Sequence, residues 1–177
     1  MSKPQAPIAS AETGATPLDA VLFREGMSRV AGAVHVVTTA GPAGQAGFTA
    51  TAVTPVTDAP ASLLVCMNAS GRSATALISN GVFCVSTLGM DDVAVADAFA
   101  GRADLNGADR FTVGDWRPLV TGSPHLATSV VAFDCRLTDA RLVATHHVII
   151  GEIVAMHLGA SRPALIYRGR AYHALGG

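Results

Sequence analysis

Runs of β-branched and other apolar residues recur along this chain with no regular helix between them, and that pattern restricts the fold most. Ala33–Thr39 (AVHVVTT) and Gly47–Val53 (GFTATAV) are two such runs. Gly41-Pro42-Ala43-Gly44 between them is turn sequence, so the pair reads as a hairpin. Ser62–Met67 (SLLVCM) is nearly all apolar, as a strand buried on both faces should be. Gly81–Thr87 follows. Val130–Leu137 and Ala140–Ala144 read as one long bent strand or two joined ones. His147–Met156 is another, and Gly151 inside it predicts a bulge or a close backbone approach. Ala164–Tyr167 and a hairpin through Gly169 to His173 end the series. Six or more strands without βαβ alternation specify a mainly β fold: an antiparallel, Greek-key-like barrel with short flanking helices.

The helices are few. Thr16-Pro17-Leu18-Asp19 is a start signal, with Thr16 as cap, Pro17 at the first helical position and Asp19 in the first turn. This helix should run to Arg29 or Val30 with an imperfect apolar stripe, weakened by Gly26. A second helix starts at Asp91 or Asp92 and ends at Gly101. Val53–Pro60, with Pro55, Asp58 and Pro60, reads as a turn-rich link. Gly101–Thr121 is a long polar excursion of the kind that forms lids or faces partners, pinned by Phe111 and Trp116. Residues 1–16 read as a flexible arm without the apolar centre of a secretion signal, and 17–177 as one domain.

Composition excludes some classes. Net charge is −1 and no basic run occurs, which argues against a nucleic-acid surface. No apolar stretch approaches the roughly 20 residues of a membrane span. Half the residues are apolar and 14% are charged, so part of the surface is expected to be covered by a second subunit. Cys66, Cys84 and Cys135 each sit in an apolar run outside any CxxC pair, which predicts reduced thiols in a cytoplasmic protein. The six histidines form no metal motif; His146 and His147 are adjacent on a strand and point to opposite faces.

One loop has the chemistry of a site. Asn68-Ala69-Ser70-Gly71-Arg72-Ser73 leaves an apolar strand and opens a helix through Ser79, with Ser73 as candidate cap and Gly81 past the end. A helix start offers free backbone N–H groups and the positive end of the dipole, and Arg72 adds a forked cation suited to phosphate. The loop is therefore a candidate site for a nucleotide cofactor's phosphate, with Phe48-Thr49-Ala50-Thr51 along the cofactor's ring. An exposed capped helix without a ligand has the same residues. His146, at a strand start, can reach into a barrel-mouth cleft or face water.

The segments FREGMSRVAGAVHVVTTAGPAGQAGFTATAVTPVTDAPASLLVCMNASGRS, VFCVSTL, DAFAGR, THHVIIGEIV and LIYRGRAYHAL resemble, in order, the short-chain flavin reductases, the reductase components of two-component flavin monooxygenases. They are similar to the pyrimidine-utilisation and 4-hydroxyphenylacetate hydroxylase reductases. The resemblance implies an FMN-binding split β-barrel that works as a homodimer. It implies that NADH or NADPH reduces FMN, or FAD or riboflavin, and that the reduced flavin goes to a separate monooxygenase. It also implies roles. Phe48, Thr49, Ala50 and Thr51 lie beside the isoalloxazine; Met67, Asn68, Ala69, Ser70, Arg72 and Ser73 meet the ribityl chain and phosphate. Phe99, Ala100, Gly101 and Arg102 line the flavin's edge or phosphate. His146, with His147 as the alternative, faces the nicotinamide, and Tyr172 sits near the cleft. A non-catalytic flavin- or haem-binding split barrel, and an oxidase of a phosphorylated vitamin, are the alternatives.

Overall fold

The apolar runs form strands, and the computed structural model, which describes residues 18–176, joins most of them into one curled antiparallel sheet. In chain order the elements are α1 (Ala20–Ser28), β1 (Gly32–Ala33), β2 (His35–Thr39), β3 (Ala46–Ala50), β4 (Val53–Asp58), β5 (Ala61–Asn68), α2 (Arg72–Asn80) and β6 (Val82–Thr87). A 3-10 turn (Met90–Asp92) leads into α3 (Val93–Phe99), and a second 3-10 segment covers Gly107–Thr112. Then come β7 (Trp116–Pro118), β8 (Pro124–Leu126), β9 (Val131–Val143), β10 (His146–Leu158), β11 (Ala164–Arg168) and β12 (Ala171–Leu175).

The main sheet has the order β3-β2-β6-β9-β10-β5-β4. Its outermost strands, β3 and β4, are consecutive in the chain, with only Thr51 and Ala52 between them. Seven strands laid flat would put those edges about 29 Å apart, whereas three residue steps reach about 10 Å. The sheet must therefore curl until its edges meet. The meeting edges are not laddered to each other, so the barrel is split there. Smaller sheets, β1-β11-β12 and β7-β8, lie outside it.

Two cores follow from this curl. Val37, Val65, Phe83, Val85, Cys135 and Ile149 fill one and are fully buried. Val34, Val36, Leu88, Phe99, Leu126 and Leu165 form the other, where α3, β8 and β11 meet β2. β2 lies between them and is buried along its whole length. Each such large side chain contributes about 1.5–3 kcal/mol relative to exposure. Gly151 sits at the expected bulge, a register shift between Ile150 and Gly151. A Cβ there would stand 2.4 Å from Phe83 Cζ, so the bulge carries the barrel wall past that ring.

Several expectations change. Val53–Asp58 is a strand, not a link; Pro55 is accommodated because β4 is an edge and a bulge lies between Pro55 and Thr57. Asp19 is the cap of α1 rather than a first-turn residue: its Oδ1 accepts from Val21 N at 2.8 Å and Leu22 N at 2.9 Å. Thr16 and Pro17 lie outside the described residues. The run expected at Gly47–Val53 breaks at Ala50, where the chain turns the split edge. The 101–121 excursion is more ordered than its composition suggests. Phe111 and Trp116 pack on Phe99 with ring centroids 5.0 and 5.1 Å away, and β7 pairs with β8.

Candidate functional site

The split edge opens into a cleft of about 850 Å³, within the usual range for small-molecule sites. β3 forms one wall, supplying Phe48, Thr49, Ala50 and the following Thr51; the end of β5 supplies Met67 and Asn68. The start of α2 supplies Arg72 and Ser73, the end of α3 supplies Phe99 and Ala100, and His146 at the start of β10 stands at the mouth. These residues come from five elements spread between positions 46 and 146, and the curl of the sheet brings them together.

The start of α2 is open. Gly71 is its cap residue and no side chain caps it. Ser73 does not act as cap, because it lies inside the helix and its Oγ donates across to Gly47 O at 3.0 Å. Asn68 closes the preceding turn, its Oδ1 accepting from Ser70 N at 2.9 Å and Ser70 Oγ at 2.7 Å. The first N–H groups of α2 are thereby left to meet a ligand or water. The other end follows expectation: Gly81 takes φ 66° and closes the helix onto Leu77 O.

β3 is an outer strand of the sheet, so half of its backbone groups have no strand partner. Gly47 O faces away from β2, since it receives the Ser73 hydroxyl. Alternation along the strand then puts Thr49 N–H on the same free edge, as a donor beside the cleft. The Thr49 hydroxyl is spent elsewhere: it donates to Ala96 O at 2.7 Å and ties β3 to α3. The Thr49 hydroxyl is therefore not free for a ligand, whereas Thr51 keeps an exposed side chain.

The two histidines separate as strand alternation requires. His146 pairs across to Asn68, lines the cleft, and lies 2.9 Å from Thr145 Oγ1 through Nδ1. His147 is half-buried on the other face, where its Nδ1 has no hydrogen-bond partner. Ala69 N donates to Thr145 O at 3.0 Å, which locks the β9–β10 turn to the loop before α2 and so positions His146.

Five expected residues are outside the cleft lining: Ala69, Ser70, Gly101, Arg102 and Tyr172. Arg102 is engaged elsewhere. It donates to Asp97 Oδ1 and Tyr167 OH, both at 3.1 Å, and its guanidinium lies 5.3 Å from the Tyr172 ring centroid. Tyr172 OH donates to Asp97 Oδ1 at 3.1 Å, and burial pushes its phenol upward. These groups form a separate polar cluster at the terminal hairpin because Asp97 is on the face of α3 that meets β11 and β12. Conversely, Gln45, Ala76, Asn106, Gly107 and Arg110 line the cleft without having been anticipated. The only signal for Arg110 is its place next to Phe111: anchoring that ring on Phe99 brings its neighbour to the cleft.

No Asp or Glu lines the cleft, whereas Arg72 and Arg110 do. Neither arginine has an ion-pair partner among the described residues. The arrangement can hold an anion at α2 and a planar polar ring along β3. Among the described residues no cluster of His, Cys, Asp and Glu could hold a metal ion, and no helix is long and apolar enough to cross a membrane.

Comparison with known proteins agrees with this geometry. The chain is 46% identical over 164 residues to "FMN reductase (NADH) RutF 1" of Methylorubrum extorquens, covering 93% of this chain and 81% of that protein. A Haemophilus somnus protein solved as a candidate flavin reductase superposes with a TM-score of 0.85 at 40% identity, over 89% of this chain and 100% of the other. BorF, the flavin reductase component of a bacterial two-component tryptophan halogenase, gives a TM-score of 0.83 at 28% identity, over 90% and 99% of the two chains. The family model for the flavin reductase like domain matches residues 27–176. With the split barrel, the cleft and these matches together, the chain belongs to the flavin reductase-like domain family.

Proposed function

We propose that this protein is an NADH-dependent FMN reductase that hands reduced flavin to a separate monooxygenase. The observation that carries this is the cleft itself: an open helix start with Arg72, a free strand edge at Thr49 and the His146 ring, all in one carboxylate-free space. The residues fit a flavin phosphate at α2 and an isoalloxazine along Phe48–Thr51. The bound flavin and nicotinamide supply the hydride chemistry. The chain's part is to bind, orient and exclude water. Met67 and Phe99, both buried, floor the cleft with apolar surface. Thr49 N–H is placed to donate to the flavin's polar edge as electron density rises there. His146, at the mouth, is placed to orient the nicotinamide rather than to transfer a proton. FAD and riboflavin are the other flavin candidates, and NADPH the other reductant.

The same reading makes the protein a cytoplasmic homodimer. Cys66, Cys84 and Cys135 are all free thiols, as suits a reducing compartment. α1 buries none of its residues and exposes Val21, Leu22, Phe23 and Met27. A helix of nine residues is marginal in water on its own, and its exposed apolar face suits cover by a second copy. A solution mass equal to one chain at micromolar concentration would contradict this.

The activity test is direct: loss of nicotinamide absorbance on mixing protein and NADH, expected only when FMN is added. Absence of FMN-dependent loss with either nicotinamide removes the reductase assignment. Arg72→Ala should weaken FMN binding about tenfold, the worth of one charge-assisted phosphate contact, and leave riboflavin binding nearly unchanged. Equal losses for both flavins would contradict a phosphate at α2.

A further inference from the structure

The cation that the DAFAGR segment was expected to bring to the flavin, Arg102, is held by Asp97 and Tyr167 outside the cleft. A different arginine occupies the cleft. Arg110 comes from the 3-10 segment of the 101–121 excursion and is half-buried. Its Nε donates to Leu105 O at 3.3 Å and its Nη1 to Gly47 O at 3.4 Å. Gly47 O is the same oxygen that receives Ser73 Oγ at 3.0 Å. One carbonyl thus ties the Arg110 guanidinium and the Ser73 hydroxyl, on the second residue of α2, to the same point of β3. A guanidinium has five N–H donors, and two of Arg110's are used in these bonds, leaving three. No carboxylate pairs with it among the described residues, and none lines the cleft. A half-buried, unpaired cation fixed in place beside an open helix start is arranged for an anion.

We infer that Arg110 is a second phosphate-binding residue: with Arg72 it holds the phosphomonoester of FMN between two guanidinium groups and sets the preference for phosphorylated over unphosphorylated flavin. This rests on reading the cleft as the flavin site. It also couples binding to order, because Arg110 rides on a segment held to the body through Phe111 and Trp116 on Phe99. FMN bridges that segment to α2, and riboflavin does not.

The test titrates wild type, Arg110→Met and Arg110→Lys with FMN and with riboflavin, following flavin fluorescence. Arg110→Met should lose FMN affinity about tenfold or more and keep riboflavin within about twofold. Arg110→Lys should recover part of the FMN affinity, since it restores the charge without the fork. In the wild type, FMN should protect backbone amides of residues 105–113 from hydrogen exchange more than saturating riboflavin does. An unchanged FMN-to-riboflavin ratio in Arg110→Met overturns the inference, whether both affinities fall or neither does. If Arg110→Met does not fold, an unchanged ratio in Arg110→Lys together with equal protection by the two flavins overturns it. Loss of FMN preference in Arg72→Ala but not in Arg110→Met overturns this inference alone. A wild type that binds no flavin removes the flavin reading beneath it.

Discussion

Replacing Gly47 by alanine is expected to damage fold and site together. The added Cβ would lie 2.7 Å from Phe99 Cε1, 2.9 Å from Cδ1 and 3.0 Å from Val37 O. None of these can yield easily. Val37 O belongs to the paired strand, and Phe99 is buried and wedged against Phe111 and Trp116. Overpacking of this kind costs about 1–3 kcal/mol. Relief requires β3 or Phe99 to shift, and both line the cleft. Gly47 O also seats Ser73 and Arg110, so the anion end moves with it. FMN affinity should therefore fall at least several-fold beyond any loss of folded protein. Gly26→Ala is the control: nothing lies within 4 Å of its Cβ, and a helical Gly→Ala change stabilises by about 0.5–1 kcal/mol. Denaturant titration and FMN titration of both variants check this. Equal stability and equal affinity for Gly47→Ala and wild type would contradict the packing described.

Acid should destabilise the protein through His35. This residue is 8% exposed on β2, with Nδ1 3.0 Å from Thr87 Oγ1. Burial lowers its pKa from 6.5 to about 4, so the folded state keeps the ring neutral while the unfolded chain protonates it. Stability from this group is complete above the unfolded value and is lost as pH falls from 6.5 towards 4. The full gap is worth about 3 kcal/mol, of which about 2 kcal/mol is gone by about pH 5. His125, lowered chiefly by burial, adds in the same direction. Most carboxylates remain ionised above about pH 5, so the window from about 6.5 to 5 isolates the histidines. Denaturation free energies should fall across it in the wild type and fall much less in His35→Gln. A flat profile, or an equally steep one in the variant, would contradict a buried neutral His35.

Most of the architecture could be read from the residues because strand-forming runs and turn signals are local. Gly151 and Gly81 did what isolated glycines at those places suggest. Pro55 misled, because a proline bars a central strand but not an edge, and which strand is an edge depends on closure of the whole sheet. Ser73 misled for a related reason: a serine at a helix start can cap it, but here Gly47 O, 26 positions away in sequence, offered a better partner. The cleft was half legible. Its loop and strand walls follow from local chemistry, whereas the exchange of Arg102 for Arg110 depends on which face of α3 meets the terminal hairpin. Thr49 shows the same limit. A threonine there can donate through its hydroxyl or its backbone, and only the packing of α3 on β3 reveals that the hydroxyl is spent on Ala96 O.

A crystal structure of the protein with FMN tests the central claim most directly. The phosphate should lie within hydrogen-bond distance of the first N–H groups of α2 and of the Arg72 and Arg110 guanidinium groups. The isoalloxazine should run along Phe48–Thr51 with Thr49 N–H at its polar edge and His146 above its face. FMN bound anywhere else, with the start of α2 touching only solvent, would contradict the account.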